Sequence, residues 1–384
     1  MEEASSAYHD NSVNIQRTPE HGQRKTVDGG ILLVIEAKGS WLHAGYHLTG
    51  ATAGPALLSL PYAFALVGWV PGVLALLLGA GISFYSYYIL ITIVEHFESQ
   101  GKRFVCFRSL ADHIMGKRWS LFFIAPLQFV ICYVTVIAAV LVGGVCMKEI
   151  YMLYNPDGPL KLYQFISLFG VMTAVLAQTP SFHSLRHVNF LSILLCLGYS
   201  LCATCGSIIG GLSADASAKV YTVKGDLIHK TFGVFGSLAI IATSFGNPII
   251  VEIQVYLQPA FDVLETHVAD VNKGRYSIRN LAPRVVGRTF FVGSASFFAA
   301  MLPFFGDINA LMGALGYTPL VFVFPIIFSI IVYRPSKMGF TYWFHVLLIV
   351  CFSILTVLGS LAAVGQLSLD AHKYRLFADN IMSM

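Results

Sequence analysis

Three ionisable side chains stand inside or beside long apolar stretches of this chain, where burying a charge is costly. His43 and His47 are four residues apart, so on a helix they share one face and could pass protons along it. Glu252 lies in a later apolar stretch, where burial would favour its protonated form and let it carry a proton. For all three, the alternative is a place near the cytoplasmic interface, in contact with water. No third ligand accompanies the histidines, so no metal site is predicted.

The backbone offers a second kind of chemistry at two places. In ATAGPALLSLPYA (51–63), Gly54 and Pro55 interrupt a stretch that is otherwise fit to cross a bilayer, and SFGNPIIVEIQ (244–254) contains a similar Gly-Asn-Pro interruption. Proline removes a backbone donor and clashes with the preceding turn, so we expect each helix to open there. An unpaired backbone group in hydrocarbon is costly. An open helix therefore persists only where protein groups or a polar cavity provide hydrogen bonds to its free backbone groups. A plain proline kink supported by neighbouring helices is the alternative.

The two breaks would present complementary polar groups to a small ligand. The first exposes amides and the start of a half-helix near Ala56, and that positive dipole end suits a carboxylate. The second exposes carbonyl oxygens, which suit an amino group. Interrupted helices at corresponding places in two halves of a chain indicate the binding site of a secondary transporter. The predicted substrate-binding residues are Thr52, Ala53, Gly54, Phe245, Gly246 and Asn247.

Catalytic motifs are missing from the sequence. It contains no HExxH, P-loop or GxSxG pattern, and no GxGxxG followed by a helix. Asp307 follows Gly306, but an intramembrane aspartyl protease needs a GxGD string and a second membrane aspartate. Cys202 and Cys205 have the spacing of a metal or redox pair, yet they lie mid-helix without a partner pair, which favours ordinary packing. The sequence therefore predicts no enzyme, no catalytic residues and no bound cofactor.

The composition indicates an all-α polytopic membrane protein. Of its 384 residues 56% are hydrophobic and 11% charged, and the mean hydropathy is +0.70, whereas a soluble domain carries roughly 25% charged residues. Nine stretches are near the ~20 residues that a bilayer requires. They run over 41–66, 69–95, 119–147, 162–179, 185–211, 232–258, 284–303, 308–333 and 340–366. Basic residues lie in the loops between these stretches, so the net charge of +4 does not indicate a nucleic-acid partner.

The distribution of basic residues predicts the orientation. With the N-terminus in the cytoplasm, most of the 24 Lys and Arg residues fall in cytoplasmic segments, and only a few, such as those at 219–230 and 373–375, fall outside. Residues 1–40 are polar and lack the apolar core of a signal peptide, so we expect a disordered cytoplasmic tail. Residues 367–384 are expected to form an extracytoplasmic tail.

The two breaks also suggest inverted repeats, but of unequal length. The first repeat covers 41–211 and contains five predicted spans, whereas the second covers 232–333 and contains three, with 340–366 as an extra helix. Since inverted repeats should be similar in length, the second is short by about 70 residues, roughly two helices and their loops. The transmembrane domain as a whole is predicted to run over 41–366.

Several strings resemble the plant amino acid/auxin permease family, and most of all its γ-aminobutyrate-transporter-like branch. They are WLHAGYHLTGATAGPALLSLPYAF (41–64), TPSFHSLRH (179–187), SFGNPIIVEIQ (244–254), MLPFFGDINALMGALGYTPL (301–320) and FTYWFHV (340–346). The resemblance covers essentially everything after residue 28. It implies an eleven-helix, five-plus-five inverted-repeat (LeuT-like) fold with discontinuous first and sixth helices. In one place the chain departs from the family, because Gln254 runs straight into VYLQPAFDVLE (255–265), which resembles the exit of the family's eighth helix.

The family resemblance also implies a function. We expect a secondary active transporter of small neutral amino acids or γ-aminobutyrate, most simply in the plasma membrane, with the amino acid and the lipid bilayer as its partners. The proton gradient would drive it, with sodium as the alternative coupling ion. Because the seventh helix and most of the eighth are absent, a transport-deficient form that acts by binding or partner association is the alternative. A membrane-embedded enzyme is the third hypothesis. The sequence does not predict the oligomeric state.

Overall fold

The computed structural model describes residues 57, 59–102, 104, 107–178, 186–212, 227–245, 278–301 and 305–373. These ranges contain ten helices and no strand. The helices are α1 (Leu60–Val67), α2 (Trp69–Ser99), α3 (Phe107–Met115), α4 (Lys117–Tyr154), α5 (Leu162–Leu176), α6 (Arg186–Leu212), α7 (Leu227–Ser244), α8 (Ile278–Met301), α9 (Phe305–Leu311, Met312–Val323 and Phe324–Tyr333 in succession) and α10 (Phe340–Lys373).

Long apolar helices dominate this part of the chain. By length and composition, five of them (α2, α4, α6, α9 and α10) are suited to crossing a membrane, and α5 and α7 contain shorter apolar stretches. Every predicted span overlaps one of the ten helices. For 41–66 and 232–258 the overlap is partial, because 41–56 and 246–258 lie outside the described residues. The prediction of an all-helical polytopic membrane protein is confirmed.

A tight turn joins α1 to α2. Gly68 has φ of 89°, a backbone conformation that glycine adopts without steric cost, and its amide bonds to the carbonyl oxygen of Phe64 at 2.9 Å. The ring of Phe64 then packs edge-on against Trp69, with 5.6 Å between the ring centroids. The short helix α1 is therefore anchored at its C-terminal end.

Two helices contain wide π-helical turns. In α4 these cover Ser120–Ile124, and in α9 they cover Met312–Val323, a stretch that contains Pro319. Proline lacks the amide that a regular α-turn would use, so the local hydrogen-bonding pattern has to change. The hydroxyl of Thr318 donates to the carbonyl oxygen of Gly313, five residues earlier, at 2.7 Å. A side chain therefore supplies a donor where the helix is irregular.

The core consists mainly of two apolar clusters. One joins α2, α3, α4, α9 and α10, and within it Phe107 packs on Phe328 while Phe322 stacks on Phe352 with 4.5 Å between ring centroids. The other joins α4, α5 and α8. At the boundary between α5 and α8, the buried Arg288 donates from Nη1 to the carbonyl oxygen of Ala177 at 2.8 Å, which caps the C-terminal end of α5.

Close backbone contact brings α7, α9 and α10 together. A Cβ atom on Gly313 would lie 1.9 Å from the carbonyl oxygen of Ala239, so only glycine fits where α9 meets α7. On α10, a Cβ on Gly359 would lie 3.1 Å from the Cβ of Ala314. Small residues at these positions let helices approach each other closely, as is common between helices in membranes.

We predict that Gly313→Ala destabilises the folded protein, because the added methyl group overlaps a backbone carbonyl that has no freedom to move aside. Overpacking of this kind costs about 1–3 kcal/mol in the free energy of unfolding. The measurement is the thermal unfolding midpoint of the purified protein in detergent. Gly81→Ala serves as the matched control, because a Cβ at Gly81 meets nothing within 4 Å. Equal midpoints for the two variants would contradict the prediction.

Candidate functional site

Most residues of the predicted substrate site lie outside the described part of the chain. These are Thr52, Ala53, Gly54, Gly246 and Asn247 from the substrate-binding set, and Glu252, His43 and His47 from the proton-coupling set. Phe245 is described, and so are α1 and α7, which belong to the two spans with predicted breaks. The site can therefore be built from Phe245 and these two helices.

Helix α7 ends beside the predicted second break. Its last residue is Ser244, and Phe245 lies in a turn in which its amide bonds to the carbonyl oxygen of Ala242 at 3.2 Å. The sequence that follows is Gly-Asn-Pro, and the residue before a proline disfavours helical backbone angles. The described helix thus ends at Ser244, and the predicted break at 246–248 lies outside the described residues. The last carbonyl groups of a helix lack partners within that helix.

Helix α1 begins later than expected. The start of this half-helix was predicted near Ala56, whereas the described α-helix begins at Leu60, after 3₁₀ turns at Leu57 and Ser59. Pro61 lies in its first turn, where a missing amide costs nothing because first-turn amides have no helical acceptor. The described start of α1 therefore places the second proline of the segment in the first helical turn.

The two helices pack against each other in opposite directions. Near one end, a Cβ at Gly233 of α7 would lie 3.5 Å from the Cβ of Leu66 of α1. Towards the other end, Ala63 and Ile240 belong to one small buried cluster. Since residue numbers rise along α1 as they fall along α7, the start of α1 lies at the same level as the end of α7. A positive and a negative helix-dipole end therefore lie side by side.

Helix α2 contacts Phe245 at two points. The hydroxyl of Tyr87 donates to the carbonyl oxygen of Phe245 at 2.8 Å. The ring of Phe245 lies against Gly79, where an added Cβ would be 3.0 Å from Cε2 of the ring. Tyr87 was not among the predicted site residues, because its sequence context is an unremarkable apolar span.

Helix α9 runs beside the last turn of α7. The hydroxyl of Thr243 lies 3.0 Å from the carbonyl oxygens of both Ala239 and Asn309. Asn309 itself is 1% exposed, and its side-chain Nδ2 is buried with no hydrogen-bond partner among the described residues. An unpaired buried donor is uncommon in folded proteins. The side chain of Asn309 lies about one turn from the end of α7, so it is a further polar group next to the candidate site.

A buried histidine lies on the opposite side of α2. His345 is 2% exposed, and its Nε2 is 2.7 Å from the hydroxyl of Tyr85. Its Nδ1 is buried and has no hydrogen-bond partner in the part of the chain that the structure describes. It is the sixth residue of α10, within an apolar helix. His345 was not among the predicted site residues, although a lone ionisable residue in an apolar span is the signal that singled out Glu252.

One family matches nearly the whole chain. The family described as transmembrane amino acid transporter protein matches residues 37–254 and, separately, 238–368. The two matches meet near the position where the sequence departs from the family pattern. No solved structure matches the chain.

Curated relatives agree with this match. GABA transporter 1 of Arabidopsis thaliana is 40% identical over 435 aligned residues, which cover 92% of this chain and 96% of the relative. Lysine histidine transporter-like 1 of the same plant is 22% identical and covers 94% of this chain and 96% of its own length. These relatives are named as transporters and not as enzymes, which agrees with the sequence prediction. The chain therefore belongs to the family of transmembrane amino acid transporter proteins.

Proposed function

We propose that the ends of α1 and α7 bind a small neutral amino acid or γ-aminobutyrate, and that transport of this substrate is coupled to protons. The observation that carries the proposal is the antiparallel contact of α1 and α7, which puts opposite dipole ends at one level. The start of α1 favours a carboxylate and the end of α7 favours an ammonium group. An amino acid carries both groups.

The relatives support this substrate class. One is named for γ-aminobutyrate and others for lysine and histidine, all of which have a primary amino group and a carboxylate. Phe245 is the described member of the predicted acceptor set, and its carbonyl oxygen lies at the end of α7. We assign Gly246 and Asn247 to the same acceptor group, and Thr52, Ala53 and Gly54 to the carboxylate side.

A second candidate function is binding without transport. The alignment to the 40%-identical relative spans 435 positions, but the 92% of this chain that it covers is only about 353 of 384 residues. About 80 positions of the alignment therefore have no counterpart in this chain. The family also matches in two pieces that overlap at residues 238–254 and do not form one continuous match. In α6, none of the apolar window Ile193–Leu212 is buried. All three observations favour the absence of two spanning helices that would cover α6.

The orientation that we propose has the N-terminus in the cytoplasm and the C-terminus outside the cell, in the plasma membrane. His96 near the end of α2 and Tyr333 at the end of α9 are 5.7 Å apart by ring centroids, so these helix ends lie on one side of the bundle. Exposed basic residues cluster on that side, among them Lys102, Arg334 and Lys337. An excess of exposed Lys and Arg is typical of the cytoplasmic face.

The decisive comparison sets the 384-residue chain against a version with the absent segment restored. The segment of the Arabidopsis γ-aminobutyrate transporter that has no counterpart here is inserted after Gln254, and both forms are expressed in cells deficient in amino acid uptake. We expect both to reach the membrane, because insertion needs apolar spans and the charge bias. Only the restored form should take up amino acid, because exposed polar backbone near Asn247 is costly in lipid. Equal uptake at equal surface abundance would reject the second candidate function.

A substitution at the first break tests the carboxylate side. In the restored form, Gly54→Val should abolish uptake and leave membrane insertion intact, because the side chain blocks approach of the substrate to the backbone. The control is Gly81→Val, since a Cβ at Gly81 of α2 meets no atom within 4 Å. Uptake by the Gly54→Val form at the level of the unmodified protein would contradict the site.

The proton-coupling proposal is tested by the pH profile of uptake in the same restored form. We expect Glu252→Gln to flatten the profile, because the amide carries no exchangeable charge. His345→Gln is measured alongside, because His345 is a buried ionisable residue in an apolar helix. His96→Gln, which changes an exposed histidine at the cytoplasmic end of α2, is the control. Unchanged profiles in both variants would remove both residues from the mechanism and favour sodium as the coupling ion.

A further inference from the structure

The carbonyl group of Phe245 is satisfied by a side chain from another helix. Its own amide still bonds back to Ala242, but the carbonyl lies beyond the last turn of α7, and no backbone partner for it is found among the described residues. The Tyr87 hydroxyl donates to it at 2.8 Å across 158 positions of the sequence. Inside a membrane bundle such a carbonyl needs a donor from the protein, a cavity or a ligand. Tyr87 supplies one donor.

The same helix fixes the other end of Phe245. Gly79 and Tyr87 are eight residues apart on α2, so they are separated by about 12 Å along the helix axis. The ring of Phe245 rests on Gly79, and a Cβ at that position would lie 3.0 Å from one ring carbon and 3.2 Å from the next. One helix therefore holds both the ring and the carbonyl, and the direction of the carbonyl oxygen is fixed.

Helix α2 is itself anchored beside Tyr87. The hydroxyl of Ser86 donates to the carbonyl oxygen of Val321 in α9, and the hydroxyl of Tyr85 is bonded to His345 in α10. Three consecutive side chains thus reach three different helices. The backbone of α2 around Tyr87 is therefore held in place by its neighbours. The Tyr87 hydroxyl provides a donor at a fixed position for the carbonyl oxygen of Phe245.

The carbonyl oxygen keeps acceptor capacity after Tyr87 has bound. A carbonyl oxygen has two lone pairs, and the hydroxyl uses one of them. The C-terminal end of α7 also carries the negative end of the helix dipole, which attracts a cation. A primary ammonium group offers N–H donors and positive charge, and matches both features. A carboxylate or a neutral apolar group matches neither.

We propose that Tyr87 is a positioning residue that directs the Phe245 carbonyl oxygen towards the ammonium group of the bound amino acid. The inference rests on the proposed function, because it needs an amino acid at the end of α7. Tyr87 itself need not touch the substrate. An acceptor that is already fixed before the substrate binds strengthens the complex. No conformational entropy of that acceptor is then lost on binding.

The test is Tyr87→Phe, which removes the hydroxyl and keeps the ring. Equilibrium binding of γ-aminobutyrate and of butyrate, which lacks the amino group, is measured by competition in the purified 384-residue chain and in the restored form. We expect γ-aminobutyrate to bind about three- to tenfold more weakly, the range for one lost hydrogen bond. Binding of butyrate should stay as in the unmodified protein. The control is Tyr88→Phe, because Tyr88 is adjacent in sequence and 62% exposed.

The outcomes separate this inference from the proposed function. If the unmodified protein binds γ-aminobutyrate and Tyr87→Phe binds it equally well, or more tightly, Tyr87 has no positioning role and the amino acid site stands. A parallel loss for both ligands, or a lowered thermal unfolding midpoint relative to Tyr88→Phe, means a structural role only and overturns the inference. If neither unmodified form binds γ-aminobutyrate, both the site and the role of Tyr87 are wrong.

Discussion

Inside a bilayer, a backbone carbonyl that leaves a helix needs a hydrogen-bond donor from elsewhere, and this requirement accounts for several contacts between helices in this protein. At the end of α7 the donor is the hydroxyl of Tyr87. In the irregular part of α9 it is the hydroxyl of Thr318, and at the end of α5 it is the guanidinium of Arg288. In each place a side chain compensates for an interrupted helix. The protein can therefore keep non-helical backbone near its candidate site.

Close packing between the helices depends on small residues, and it limits how the site can be arranged. Gly313 lets α9 approach α7 to the point where a methyl group would overlap the backbone of Ala239. Because α9 is so close, Thr243 in the last turn of α7 can reach the carbonyl oxygen of Asn309. The same proximity buries the Asn309 side chain beside the end of α7. Backbone contact and polar chemistry are thus connected at this junction.

The helices around the candidate site and helix α6 differ in how far they are buried. Helices α1, α2, α7, α9 and α10 pack together, with buried residues from each. Helix α6, by contrast, has an apolar window in which no residue is buried. The packing around the candidate site therefore depends on contacts in which the apolar window of α6 takes little part.

The sequence by itself determined where the apolar helices lie, because every predicted span overlaps a described helix, and α7 ends at Ser244, just before the Gly-Asn-Pro string. Those features are local, because a span needs only enough apolar residues in a row and a helix ends near a Gly-Asn-Pro string whatever its neighbours are. Phe245 was predicted for the same reason. Most other predicted site residues lie outside the described ranges, and the described α-helix of α1 starts at Leu60, with Pro61 in its first turn.

Only the tertiary structure decided which polar side chains matter around that helix end. Tyr85, Ser86 and Tyr87 are ordinary residues of an apolar span in the sequence, yet each one contacts a different helix. His345 and Asn309 likewise became candidates because each has a buried nitrogen atom with no hydrogen-bond partner within the described ranges. The physical reason is that a polar group in a membrane span has no fixed role of its own. Its role depends on the donor or acceptor that faces it, and that partner comes from a helix far away in the chain.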